Sequence, residues 1–182
     1  MAEFYHVSRT TLTDIKQFEL QHFNGYIETD GFYSAQEFRE HKTKSYPNGI
    51  SKHGEIYLHT HYRSVGQRLE FTPNELTLET TFELVRQLKF PERTSRFQIT
   101  FGCLTIEDAL KLKVETFGNI GDIYKVKCDK YSVADMNLVR QASCIIGLQI
   151  VAEKYWSGQS SPFPFWEVLM ENPVTIVEKV SS

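Results

Sequence analysis

The stretch FWEVLMENPVTIVEKV, residues 165–180, decides how this chain is read. Asn172-Pro173 interrupts it, because proline offers no N–H to a ladder and Asn-Pro is turn chemistry. The runs on either side are rich in β-branched and apolar residues and read as two strands joined at that pair. On the first, Trp166, Val168 and Met170 share one face, and Glu167 and Leu169 share the other. A carboxylate in so apolar a strand has two readings. It points into water from an edge strand, or it stands in a cleft facing positive charge, because burying it unpaired is expensive.

At the other end, FYHVSR (residues 4–9) reads as a short strand with Phe4, His6 and Ser8 on one face and Tyr5 and Val7 on the other. Between these ends the pattern turns helical. Ser34-Ala35-Gln36-Glu37 fits a capping box and predicts a short helix ending before Pro47. KSYPNGISKHG reads as a polar loop, followed by an extended piece over Glu55–His59. Asn24-Gly25 and Asp30-Gly31 are turn signals. Thr72-Pro73-Asn74-Glu75 is a helix start, continued by Leu78, Phe82, Val85 and then Leu88 or Lys89, with Pro91 as the stop. RFQITFG alternates as a strand, and Thr105-Ile106-Glu107-Asp108 opens a helix with Gly118 beyond it. Residues 123–128 alternate again, and Ser132-Val133-Ala134-Asp135 predicts the start of the longest helix, ending near Gly158. Strands at both ends with helices between predict an α+β fold, one domain over residues 1–182.

Bulk properties agree with a globular protein. Of 182 residues, 41% are hydrophobic and 24% charged, enough for one sizeable core. A net charge of −3 gives no generic attraction to nucleic acid. Cys103, Cys128 and Cys144 are far apart and odd in number, which argues against a disulfide framework and for a reducing, cytoplasmic setting. The N-terminus lacks a signal-peptide pattern, and no apolar run reaches membrane-spanning length.

Most chemical motifs are absent or weak. His59 and His61 share a face if extended, but no third ligand stands at a convincing spacing, so surface histidines are preferred to a metal site. Cys103 has no local base and reads as a buried structural thiol. Neither GxGxxG nor a P-loop occurs, so a nucleotide would not bind by those routes.

The order of the pieces resembles the ADP-ribosyltransferase superfamily. FYHVS is similar to its first motif, a histidine on the first core strand with Ser or Thr two residues on. RFQITFGCLTIEDALKLK resembles the second motif, GDIYKVKCD the next strand, and WEVLMENPVTIVEKV the terminal motif, where a strand-borne Glu is followed by a hairpin and a last strand. The nearest echoes are the DNA-targeting ADP-ribosyltransferase toxins and a group of bacterial domains sharing YHVSR, an FPxxxSR-like step (here FPERTSR) and YW-G before the final Glu. Many members carry a tyrosine in the second motif where this chain has Phe101, which cannot donate a hydrogen bond. That departure points to altered chemistry, another partner for nicotinamide, or a degenerate enzyme.

The resemblance implies a split antiparallel β-sheet with flanking helices and an NAD-dependent transfer of ADP-ribose to a macromolecule, nucleic acid slightly favoured over protein. An NAD glycohydrolase and a non-catalytic nucleotide-binding domain are the alternatives; toxin, phage-defence and phage-borne roles would look alike. It implies Glu167 as the carboxylate facing an oxocarbenium-like ribose, and His6 as the anchor of a ribose hydroxyl. Ser8 and Arg9 would reach the dinucleotide, Arg9 or Arg96 forking its phosphates, and Phe101, or Tyr155 and Trp156, flanking the nicotinamide. The plainer readings are that Arg96 pairs with Glu83 or Glu92 and that Tyr155 and Trp156 pack the core.

Overall fold

A computed structural model describes residues 1–22, 31–58, 62–64, 67–69, 73–140 and 142–181. Its elements are β1 (Ala2–Ser8), β2 (Gln17–Phe18), α1 (Ala35–Ser45), α2 (Lys52–Leu58), β3 (Tyr62–Ser64), β4 (Gln67–Leu69), α3 (Pro73–Lys89), β5 (Ile99–Cys103), α4 (Ile106–Glu115), β6 (Asp122–Cys128), β7 (Tyr131–Asp135), α5 (Ile145–Ser157), β8 (Trp166–Glu171) and β9 (Val174–Ser181). The fold is α+β, built on an antiparallel seven-stranded sheet in the order β2-β9-β6-β1-β5-β8-β7, with β3 and β4 pairing separately. Among the described residues, no helix is long and apolar enough to cross a membrane.

Local chemistry explains most elements. Ser34 and Glu37 form the reciprocal capping box at the start of α1. Thr105 caps α4 by accepting from the Asp108 N–H, and Gly158 ends α5 in the left-handed conformation at φ 78°. Gly31 lies at φ 88°, while Asn24, Gly25, Asp30, His59, His61 and Thr72 lie outside the described residues.

Two expectations need correction. Residues Lys52–Leu58 form a helix, not a polar loop running into an extended piece. The Ser51 hydroxyl accepts from the Gly54 N–H at 3.3 Å, and both the Ser51 N–H and its hydroxyl donate to the Phe97 carbonyl. Gly54 permits that contact: a Cβ there would lie 2.3 Å from the Phe97 oxygen. Ser132 does not open a helix either. Tyr131–Asp135 is strand β7, paired along β8, and α5 starts only at Ile145 behind Cys144. Ser132-Val133-Ala134-Asp135 looks like a helix cap in sequence, yet Asp135 is fully buried. Its carboxylate accepts from the backbone N–H groups of Asn137, Ser161 and Phe165, which terminates the strand instead.

The strands flanking Asn172-Pro173 are both present, joined by a cis peptide bond, but they do not pair with each other. β8 lies between β5 and β7, and β9 between β6 and β2. The links β6–β7 and β8–β9 each contain two residues, yet each joins strands four positions apart in the sheet. In a flat sheet four positions span about 19 Å, whereas two linking residues reach about 11 Å. The sheet must therefore curl until its halves face each other. Phe4, Val126, Val168, Met170 and Val174, drawn from both halves, form one cluster inside the curl, and the Phe4 and Tyr131 rings meet at 4.7 Å. The outer face of β5, β7 and β8 carries α3 and α5 over Ile99, Ala134 and Leu169.

The seam of the sheet lies between β1 and β5. These strands pair only at Tyr5 with Cys103, against seven partner pairs between β1 and β6. Past that point the His6 Nδ1 lies 2.7 Å from the Phe101 carbonyl oxygen, so the imidazole takes the place of a ladder bond.

Candidate functional site

Five elements and a 3-10 turn converge on one buried side chain, Arg96. Its turn, Arg96–Gln98, is fixed by Ser95, whose hydroxyl accepts from the Phe97 N–H at 3.1 Å and donates to Glu83 at 2.8 Å. From there the guanidinium reaches between β8, α3 and α5. Arg96 Nε and Nη2 each donate to Glu79 on α3 at 3.1 Å, a bidentate pair. Nη1 donates to Glu167 Oε1 on β8 at 3.1 Å and lies 2.6 Å from the Tyr155 hydroxyl on α5. Tyr155 in turn donates to the same Glu167 oxygen at 2.7 Å. The Phe101 ring on β5 lies under the guanidinium, 4.7 Å from its central carbon. His53 on α2 completes the group, with Nε2 3.5 Å from Glu79 Oε1 and its ring 4.8 Å from that of Phe101.

Burial sets the electrostatics. Arg96, Glu79, Glu167 and Tyr155 are all buried. Burial alone would push the Glu79 carboxyl up. The Arg96 charge, with His53 close by, outweighs it and holds Glu79 down at about 2. Burial works against the Arg96 charge, and Glu79, Tyr155 and Glu167 hold that charge in place. The Tyr155 hydroxyl is pushed up by burial and by the neighbouring Glu167 carboxylate. The cluster thus sets two carboxylates around one guanidinium. Among the described residues, nothing hydrogen-bonds the second Glu167 oxygen.

The sequence-derived candidates divide between two places. Glu167, Arg96, Tyr155 and Phe101 come together. Arg96 pairs with Glu79 and Glu167, not with Glu83 or Glu92; Glu83 belongs to Arg86, and Glu92 lies beside Arg93. Four of the five Arg96 N–H groups donate within this cluster, which leaves no pair of donors for a phosphate fork. Tyr155 touches Glu167 through its hydroxyl, whereas Trp156 donates to the Phe82 carbonyl and packs in the core. The remaining three lie elsewhere. Tyr5, Cys103 and Glu167 are in register across β1, β5 and β8 and share one face, which puts His6 on the opposite face. There its ring meets Phe18 at 4.9 Å, and burial lowers its pKa against the pull of the Phe101 carbonyl. His6 and Glu167 therefore do not wall a single crevice. Ser8 donates to the Thr10 carbonyl, and exposed Arg9 lies over the Phe117 ring.

Cys103 is buried on the Glu167 side, and burial, with Asp108 and Glu167 nearby, pushes its thiol up to about 12. It is no nucleophile in that state. Among the described residues, no group of three or more His, Cys, Asp or Glu side chains is arranged to hold a metal ion.

Two members escaped the sequence reading. Glu79 follows Leu78 on the face of α3 that carries Phe82 and Val85, and an acid in that buried stripe was the available signal. His53 fell in a segment that reads as loop. A groove of about 770 Å3 between α1, α2 and α3 runs up to this cluster, lined by Tyr33, Phe38, Tyr46, Tyr57 and Phe97, with Glu79 among its walls.

The comparison with family models bears on the whole of this architecture. Residues 4–182 match the model described as a protein of unknown function, DUF2441. The chain belongs to the DUF2441 family. No curated protein matches it. The DUF2441 match runs from β1 through β9, so the strand bearing His6 and the strand bearing Glu167 both belong to the family's shared extent. Its description names no activity.

Proposed function

We propose that this protein transfers ADP-ribose from NAD+ to a macromolecular acceptor, with Glu167 as the carboxylate that stabilises the reacting ribose. The single observation that carries the reading is the state of Glu167. One oxygen is held by Arg96 and Tyr155, and nothing among the described residues hydrogen-bonds the other. A carboxylate held in a fixed orientation is what an oxocarbenium-like centre requires, since its stabilisation is largest where water is excluded.

The arrangement of strands supports the same reading. The five strands whose sequences resemble superfamily motifs, β1, β5, β6, β8 and β9, are consecutive in the sheet, in the order β9-β6-β1-β5-β8. The seam between β1 and β5, with its single partner pair, is where a sheet of the split type would part. The position of His6 restricts the proposal. It is left as a structural residue of that seam, and Phe101 is left as the flat surface beside Glu167. Nucleic acid is slightly preferred to protein as the acceptor on the resemblance alone.

One observation favours a second reading, a binding domain of the same fold without turnover. Arg96 directs its donors into the cluster, and Glu167 is only 6% exposed, as in a structural ion-pair network. Free nicotinamide separates the two. The protein is incubated with NAD+ alone and then with single-stranded DNA, RNA or cell lysate. Release that needs one acceptor supports transfer, and release with water alone makes the protein a glycohydrolase. No release under any condition, with no thermal shift at millimolar NAD+, leaves the binding-only or structural reading.

A further inference from the structure

We infer that His53, paired with Glu79, accepts the proton of the acceptor nucleophile in the reaction proposed above, on which this inference rests. Two histidines approach Phe101 from opposite sides of the sheet. His6 is spent structurally, its Nδ1 fixed 2.7 Å from the Phe101 carbonyl oxygen. His53 is not. Its Nε2 is buried and, among the described residues, makes no proper hydrogen bond; the nearest carboxylate oxygen, Glu79 Oε1, stands 3.5 Å away. The side chain retains 20% exposure, so the ring is walled without being sealed.

Its surroundings orient the imidazole. Glu79 faces Nε2 from α3 and is held ionised at about 2. Its charge orients the ring with Nε2–H toward the carboxylate and leaves the Nδ1 lone pair as the base. The rings of Tyr57, at 4.7 Å, and Phe101, at 4.8 Å, flank the imidazole and fix its plane. The other charged neighbour across these contacts is Arg96, whose charge is already opposed by Glu79 and Glu167. His53, Glu79, Arg96 and Glu167 thus form one continuous chain of contacts from α2 to β8.

In the step itself, the bond from the ribose carbon to the nicotinamide nitrogen breaks and its electron pair leaves with the ring. A lone pair of the acceptor oxygen or nitrogen forms the new bond to that carbon. The acceptor proton passes to His53 Nδ1, and the imidazolium later returns it to water. Atoms and charge balance without a metal or a redox partner.

The test uses the full chain with NAD+ and follows nicotinamide release in the wild type, H53A and H53Q. General-base help of this kind is worth on the order of 100-fold or more in rate. Both variants are expected to lose about that much in kcat, with KM for NAD+ little changed. Added free imidazole is expected to restore part of the H53A rate, by filling the vacated volume, and to leave H53Q unaffected. Melting temperatures of both variants control for folding. A rate that survives H53A, or a loss in folded H53A that imidazole does not relieve, overturns the role of His53 and leaves Glu167 standing. A folded wild type that releases no nicotinamide with any acceptor overturns the transferase reading, and this inference with it.

Discussion

The Tyr155 hydroxyl donates to Glu167 Oε1 at 2.7 Å while lying 2.6 Å from an Arg96 guanidinium nitrogen. It is the hub at which α5, the Arg96 turn and β8 are tied together. The geometry has a mechanical consequence for Y155F. Removing the hydroxyl leaves the aromatic packing against Phe82 and Trp156 intact but deprives a buried carboxylate oxygen of one of its two donors. The expected loss is about 1–3 kcal/mol of unfolding free energy by urea titration, with no change in the denaturant slope.

Arg96 should matter more. In R96M the side chain keeps most of its volume, yet Glu79 and Glu167 are left buried with no cation between them. Breaking one partner of such a network costs about 3–5 kcal/mol. A triple variant, R96M/E79Q/E167Q, removes all three charges and is expected to recover part of that loss. Thermal and urea unfolding of the two variants measures the difference. Equal stability would show that the ion pairs are energetically idle.

Glu79 gives the cluster a pH signature. Its folded pKa, about 2, lies below the value near 4.3 of an unfolded glutamate. The unfolded chain therefore binds more protons between those values, and stability rises with pH across the window. The contribution is fully present above the unfolded value and is lost as pH falls toward about 2. In E79Q the acid limb of the stability curve should be shallower over that interval. Urea midpoints measured from pH 5 down to pH 2 check it, and parallel curves for the two proteins would refute it.

How much of this was legible in the sequence follows from where local signals and tertiary forces agree. The Ser34 and Thr105 caps, Pro73 at the first turn of α3 and the strands around Asn172-Pro173 all act through near neighbours, so they were readable. The segment Ser132–Asp135 carries cap chemistry, but its strand pairs with β8 and its Asp135 clamps a loop some 26 to 30 residues on. α2 depends on a glycine lying against Phe97, a contact that sequence spacing does not show. At the site, Glu167 stood out because a lone acid in an apolar strand is costly. Its meeting with Arg96 and Tyr155 depends on separations of 71 and 12 residues. The opposite facing of His6 follows from the register of three strands, which periodicity within one strand cannot fix.

Gly54 is a sensitive point for the same reason. A methyl group there meets the Phe97 carbonyl at 2.3 Å, so G54A must displace α2 from the Arg96 turn. The expected cost is about 1–3 kcal/mol, as for overpacking a buried contact. The shift would also carry His53 away from Glu79. A G54A protein with wild-type stability and an unmoved His53 imidazole resonance in its NMR spectrum would show that α2 is seated more loosely than this packing requires.

Glu167 itself admits a sharper test than deletion. E167Q keeps the shape and an acceptor oxygen for Arg96 and Tyr155 but abolishes the negative charge. E167D keeps the charge and withdraws it by one methylene from both donors. If the charge stabilises the reacting ribose, E167Q should lose on the order of 100-fold or more in nicotinamide release, a barrier increase of about 3 kcal/mol. Its affinity for NAD+, read from the thermal shift, should change little, because the interaction forms chiefly in the transition state. E167D should lose activity as well, through misplacement, but less than E167Q. The opposite ranking, with the neutral isostere the more active of the two, would show that Glu167 serves as a hydrogen-bonding strut between α5 and β8 and not as the charge at a reacting centre.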